Sequence, residues 1–109
     1  MYEILEDIKI KNRTLSVLLP GEIDDHISSI LRIELDRQIS MRKIDSIVFD
    51  FSRTEIMDSS GIGMILGRFK KMQFMKGCVQ VIHVNQRIVS VMQMAGLHKV
   101  IEINKGEKA

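Results

Sequence analysis

The chain alternates short aliphatic and β-branched runs with longer runs in which apolar residues recur every three to four positions. The short runs span residues 3–12 (EILEDIKIKN), 14–21 (TLSVLLPG), 44–51 (IDSIVFDF), 78–84 (CVQVIHV) and 99–103 (KVIEI). Each alternates or is apolar throughout, as strands do. Lys11-Asn12-Arg13 closes the first two into a hairpin, and Pro20-Gly21 ends the second, because proline cannot continue a central strand. The β-branched and aromatic run at 44–51 predicts a strand covered on both faces.

Three segments have helical spacing. Residues 24–40 place Ile27, Ile30, Leu31, Glu34 and Leu35 on one face, with Asp24 or Asp25 positioned to cap the helix. Met64, Ile65, Arg68, Phe69 and Met72 define a second helix ending near Gly77. The third runs from a capping Asn85 to a stop at Gly96. The order β-β-α-β-α-β-α-β predicts an α/β fold, an open mixed sheet covered by helices. Right-handed crossovers make its later strands parallel, and the first hairpin adds an antiparallel strand. At 109 residues the chain is one domain, residues 1–109, with 103–109 expected as a frayed charged tail.

Composition excludes several functions. A net charge of +2, with scattered basic residues, gives no footprint for nucleic acid or an anionic membrane. Cys78 is the only cysteine, so there is neither an internal disulfide nor a thiolate cluster for zinc. The first residues are interrupted by acids and do not resemble a secretory signal. No apolar run approaches the roughly 20 residues of a membrane span. The expectation is a soluble, cytoplasmic protein without a cofactor. Eight methionines are unusual, and most are read as core filler.

The chemistry concentrates in residues 55–72, EIMDSSGIGMILGRFKKM. Gly61, Gly63 and Gly67 are misplaced for a dinucleotide fingerprint, and no P-loop lysine follows them. A nucleophile elbow would require G-x-S-x-G, but Asp58 directly precedes Ser59, and His26, His83 and His98 form no triad-like pattern. His83 is read as a core or sheet-face residue, and Asp50 as a turn acid without chemistry. Asp58, Ser59 and Ser60 are all good N-cap types, yet one suffices to satisfy the helix N–H groups. At least one hydroxyl is therefore left over at a helix N-terminus, where a phosphate is well tolerated. A phosphate there adds about −1.5 to −2 charges beside Asp58, enough to disfavour a partner packed on the turn.

These residues resemble a known family. MDSSGIGMILGRFKKM is similar to the phosphorylation motif of the anti-sigma factor antagonists, the single-domain members of the STAS family. LPGEIDDH resembles their approach to the first helix, and MQMAGLHKVIEI their last helix and final strand. The similarity extends from about Ile8 to Ile103 and is greatest to the sporulation branch, with the general-stress branch next.

The resemblance implies a binding protein rather than an enzyme. Its partner is an anti-sigma factor with serine kinase activity, which holds the ATP or ADP, and a serine phosphatase reverses the modification. It implies Ser59 as the acceptor, Ser60 as its neighbour and Asp24 as a kinase contact. Asp58, Gly61, Ile62 and Gly63 complete the expected partner surface, where the glycines either admit the partner or ease the turn. Ile62 and Met64 are core residues on pattern, either one also a candidate for an exposed apolar contact. Asp25 and His26 are expected as exposed first-turn residues, and Arg68 as a solvated one. The alternative function is a nucleotide- or metabolite-sensing STAS module in a general stress or other regulatory assembly.

Overall fold

The computed structural model describes residues 3–106. Strands β1 (Ile8–Lys11) and β2 (Thr14–Leu18) form the expected hairpin, with Lys11 opposite Thr14. Asn12 and Arg13 have φ of 53° and 64°, the positive values that match a two-residue turn to the twist of its strands. Glu3–Asp7, read with the first strand, is instead a 3-10 turn that places Ile4 in the core.

The chain continues through β3 (Glu22–Ile23), α1 (Asp25–Met41), β4 (Ser46–Asp50), β5 (Ile56–Met57), α2 (Ser59–Phe74), β6 (Cys78–Val84), α3 (Gln86–Met94) and β7 (Ile103–Lys105). The main sheet has the order β1-β2-β4-β6-β7, with β1–β2 antiparallel and the other pairs parallel. The expected mixed α/β architecture is therefore present. β3 and β5, unforeseen in the sequence, pair in parallel as a separate two-stranded ribbon.

From β2 onward each crossover steps to the next strand in one direction. Right-handed crossovers of that kind place α1, α2 and α3 on the same face of the sheet. Burial agrees: Leu15, Val17, Ile47, Phe49 and Val81 are sealed, whereas Ser16 and Gln80 on the opposite face are exposed. β4 is thus covered fully on one face only; Val48, between Ile47 and Phe49, is half-buried. Leu31 and Leu35 of α1, Ile65 and Met72 of α2, and Ile88 and Met92 of α3 complete the core. Burying each such side chain contributes about 1.5–3 kcal/mol. Met57 and Met64 join Met72 and Met92 inside, while Met41, Met75 and Met94 are exposed.

Two further expectations are corrected. The last strand lies later than residues 99–103, because Leu97–Lys99 form a 3-10 turn and Ile101 turns into the core. Ile103–Lys105, expected as the start of a tail, pair with β6, and Gly106 N–H donates to Val84 O at 2.8 Å. Residues 107–109 lie outside the described part. Arg68 is not solvated: it is 5% exposed between α1 and α2, its Nε 3.0 Å from Asp36 Oδ1. Despite that distance, Arg68 Nε and Nη1 make no hydrogen bond of acceptable geometry, so the contact is chiefly electrostatic. Burial depresses the Arg68 pKa, opposed by Asp36 and reinforced by Arg32.

Candidate functional site: two capped helix starts and a free hydroxyl

The short ribbon builds the site. Glu22 and Ile23 pair with Ile56 and Met57, and the next residue on each strand, Asp24 or Asp58, is the N-cap of the helix that follows. Asp58 N–H donates to Ile23 O at 3.1 Å, which continues the pairing by one bond. The starts of α1 and α2 are thereby held side by side. The loop before β5 is tied down as well: Thr54 Oγ1 donates to Pro20 O at 2.8 Å, and Glu55 N–H to Gly21 O at 2.8 Å. Pro20 thus anchors the approach to α1 through its carbonyl.

Each aspartate caps with its side chain. Asp24 Oδ1 accepts from Ile27 N–H at 2.9 Å, and Asp58 Oδ1 accepts from Ser60 N–H at 2.9 Å. The Ser60 hydroxyl also donates to Asp58 Oδ1. The hydrogen bond from the Ser60 hydroxyl, with those from the Ser60 and Gly61 N–H groups, outweighs the opposing effect of burial and holds the Asp58 carboxyl below its ordinary value. Ser60 Oγ lies 3.0 Å from the Oγ of buried Ser28 on α1.

Of the three capping types, then, Asp58 makes the cap and Ser60 is engaged on two sides. Ser59 is exposed in the first turn of α2, and its hydroxyl has no hydrogen-bond partner among the described residues. The site places one free nucleophilic oxygen at the positive end of a helix. Exposed carboxylates of Glu22, Asp24, Asp25, Glu55 and Asp58 occupy the same end of the molecule.

The expected partner surface divides. Asp24, Asp58, Ser59 and Gly63 are exposed. Gly61 and Ile62 are turned inward: a Cβ on Gly61 would stand 2.5 Å from Met57 Cγ and Sδ, and Ile62 is 8% exposed. They face the core because positions three and four of the helix fall on its buried side. Met64, the other apolar candidate, is 3% exposed. Asp25 and His26 are exposed in the first turn of α1, as expected.

A larger hollow lies elsewhere. A cleft of about 740 Å³ at the C-terminal edge of the sheet is lined by Phe51, Ser52, His83, Asn85 and Lys105, among others, and does not include Ser59. His83, expected in the core or on a sheet face, is half exposed there, with φ of 61° and Nδ1 2.9 Å from Asp50 Oδ1. Asp50 therefore has a partner that sequence reading missed. Burial acts to raise its pKa, but hydrogen bonds from His83 and Ser52 outweigh burial and lower it. The exposed hydroxyl, rather than this larger volume, is the feature with defined chemistry. Among the described residues no three His, Cys, Asp or Glu side chains come together as metal ligands, and no helix is long and apolar enough to cross a membrane.

Comparison with known proteins decides the family. The STAS domain sequence model matches residues 7–109. The chain belongs to the STAS domain family. An anti-sigma F factor antagonist from Paenibacillus polymyxa is 38% identical over 93 residues, covering 85% of this chain and 80% of that protein. The solved structure of the anti-sigma factor antagonist SpoIIAA in its unphosphorylated form superposes with a TM-score of 0.82 at 27% identity, covering 92% of this chain and 87% of the other. SpoIIAA from Bacillus in its phosphorylated form gives 0.74 at 26% identity, covering 92% and 90%. Both STAS relatives are named for antagonism of an anti-sigma factor rather than for catalysis.

Proposed function

We propose that this STAS domain is an anti-sigma factor antagonist that works by partner switching, most similar to the sporulation type. It binds an anti-sigma factor and so releases the sigma factor that the latter holds. The anti-sigma factor is also a serine kinase: it transfers the γ-phosphoryl group of its bound ATP to Ser59, the complex dissociates, and a serine phosphatase restores the free hydroxyl. The supporting observation is the unengaged hydroxyl of Ser59 beside a Ser60 that is hydrogen-bonded on two sides. Relatives named as antagonists, one solved in both phosphorylation states, favour this reading over nucleotide or metabolite sensing.

Asp24, Asp58, Ser59 and Gly63 form the contact, with Ser60 supporting it from beneath. A phosphate on Ser59 sets a dianion near Asp24 and Asp58 at a surface the partner must desolvate, and the cost falls on the complex. The test is incubation with the cognate kinase and ATP, followed by phosphopeptide mapping and affinity measurement. Label should reside on Ser59 and vanish in Ser59→Ala. Ser59→Asp should bind the kinase roughly tenfold more weakly, since one added charge near two carboxylates costs on the order of 1–2 kcal/mol at intermediate dielectric. Label elsewhere, or unchanged binding by Ser59→Asp, refutes the assignment.

A further inference from the structure

Two adjacent serines open α2, and a kinase docked there meets both. Local chemistry favours the wrong one. The Ser60 proton points at the ionised carboxylate of Asp58, a group able to take that proton as the oxygen attacks phosphorus. Among the described residues no carboxylate is hydrogen-bonded to the Ser59 hydroxyl, the Asp58 oxygen being taken by Ser60. Nor does burial silence Ser60, because a shallow groove of about 250 Å³, lined by Asp25, Ser28, Ser29, Arg32, Ser60 and Gly63, leads to it.

The restraint comes from α1. Ser28 is 5% exposed, and its Oγ is 3.0 Å from Ser60 Oγ. Ser60 has a single hydroxyl proton, which Asp58 accepts, so the proton in the Ser28–Ser60 contact belongs to Ser28. The hydroxyls therefore form a directed chain, Ser28 to Ser60 to Asp58. In it the Ser60 oxygen commits its proton to one neighbour and one of its two lone pairs to the other, so the direction of the second lone pair is fixed by the chain. Phosphoryl transfer requires an oxygen lone pair aligned with the γ-phosphorus and opposite the leaving group.

Resting on the phosphoswitch reading above, we infer that Ser28 is a specificity-determining residue: its hydroxyl masks Ser60 and so reserves phosphorylation for Ser59. In the transfer itself the accepting Oγ bonds to the γ-phosphorus of ATP and the bond from that phosphorus to the β–γ bridging oxygen breaks. ADP then leaves, and the hydroxyl proton passes to a base. Removing the Ser28 hydroxyl frees the occupied lone pair and releases the hydroxyl's fixed orientation, so that either lone pair of Ser60 can align with phosphorus, while Asp58 still receives the proton.

The experiment uses the full chain, purified cognate kinase and ATP, with the initial rate of labelling at each serine read by phosphopeptide mass spectrometry. Wild type reports first on the phosphoswitch reading: label absent from Ser59 refutes that reading itself, whatever Ser28 does. With that control in hand, Ser59→Ala should accept little label. Ser28→Ala/Ser59→Ala should label Ser60 about fivefold faster, the equivalent of one neutral hydrogen bond of about 1 kcal/mol. Ser28→Thr/Ser59→Ala, which keeps the hydroxyl, should return to the low rate. Should the alanine variant melt before assay temperature, Ser28→Cys, close in size and a weak donor, replaces it with the same expected direction. Equal Ser60 labelling with and without the Ser28 hydroxyl, or failure of threonine to restore the low rate, overturns the assignment.

Discussion

Gly61 and Gly63 sit two residues apart in α2, and the same substitution should act on them in opposite directions. A Cβ built on Gly63 meets nothing within 4 Å, whereas one on Gly61 meets Met57 Cγ and Sδ at 2.5 Å and Ile23 Cγ2 at 3.1 Å. Alanine is favoured over glycine in a helix interior by about 0.8–1.0 kcal/mol. Gly63→Ala should gain most of that. Gly61→Ala gains no more and must displace Met57, which is 5% exposed beneath the ribbon. Methionine is flexible, but overpacking a filled site costs about 1–3 kcal/mol.

The difference between the two variants therefore isolates the Met57 clash at about 1–3 kcal/mol, because the propensity gain is common to both. For a domain of about 100 residues, 1 kcal/mol moves the melting temperature by roughly 4–8 °C. Melting curves by circular dichroism should place Gly63→Ala above wild type and Gly61→Ala several degrees below Gly63→Ala. Trimming Met57 to alanine in both backgrounds should close most of the gap, since the new methyl then occupies vacated space. If the two glycine variants melt within 2 °C of each other (a separation under about 0.5 kcal/mol), the packing of the ribbon against α2 is not as described.

Three other outcomes follow from the geometry. Asp36→Asn leaves Arg68 buried without its counter-ion and should cost about 2–4 kcal/mol in urea unfolding; Arg68→Met should cost less, because Asp36 is more exposed and keeps Lys71 at 3.6 Å. Asp24→Asn preserves an oxygen for Ile27 N–H but removes the charge, so thermal stability should hold within about 0.5 kcal/mol while kinase affinity measured by calorimetry falls; unchanged affinity excludes an ion pair there. Asp58 has a lowered folded-state pKa, so its stabilisation is complete above the unfolded value of about 3.9 and is lost as pH falls through the folded value; Asp58→Asn should flatten the acid limb of a melting-temperature profile below about pH 4, and an unaltered limb contradicts the cap.

Much of this architecture is legible in the residues, and the misses have physical causes. Asp24, Asp58 and Asn85 each precede a 3.6-periodic run, and all three cap helices. β3 and β5 leave no signal in the sequence because two residues carry no period. Only the parallel between Glu22-Ile23-Asp24 and Ile56-Met57-Asp58, two strand residues and then a cap, hints at their pairing. The register of Arg68 is legible: it lies four residues from both Met64 and Met72, both buried, so it inherits their inward register. Its charge alone points to solvent, whereas Asp36 on α1 makes burial tolerable. Residues 3–7 and 97–101 show the familiar ambiguity of short apolar runs, in which burial of Ile4 and Ile101 is served as well by a 3-10 turn or loop as by a strand. The relation of Ser60 to Ser28, 32 residues away, has no local signature at all.

On the proposed reading, the placement of Ser59 also fixes where the free energy of switching must reside. Its hydroxyl takes no part in the cap, which is made by Asp58 Oδ1 and Ser60 N–H, so esterifying it breaks no bond that starts α2. The added dianion is repelled by Asp58 but sits at the helix end that carries about half a positive charge, and for the isolated protein these effects oppose one another. In a complex the same charge must be desolvated against a partner, and Arg68, committed to Asp36 within the helix interface, is not available to offset it. Phosphorylated and unphosphorylated protein should therefore melt within about 4 °C of each other, less than about 1 kcal/mol, while affinity for the kinase drops at least tenfold. A phosphoprotein that melted ten degrees lower would locate the switch in the fold, with α2 unravelling from its first turn, and would remove the reason for keeping the acceptor oxygen outside the cap.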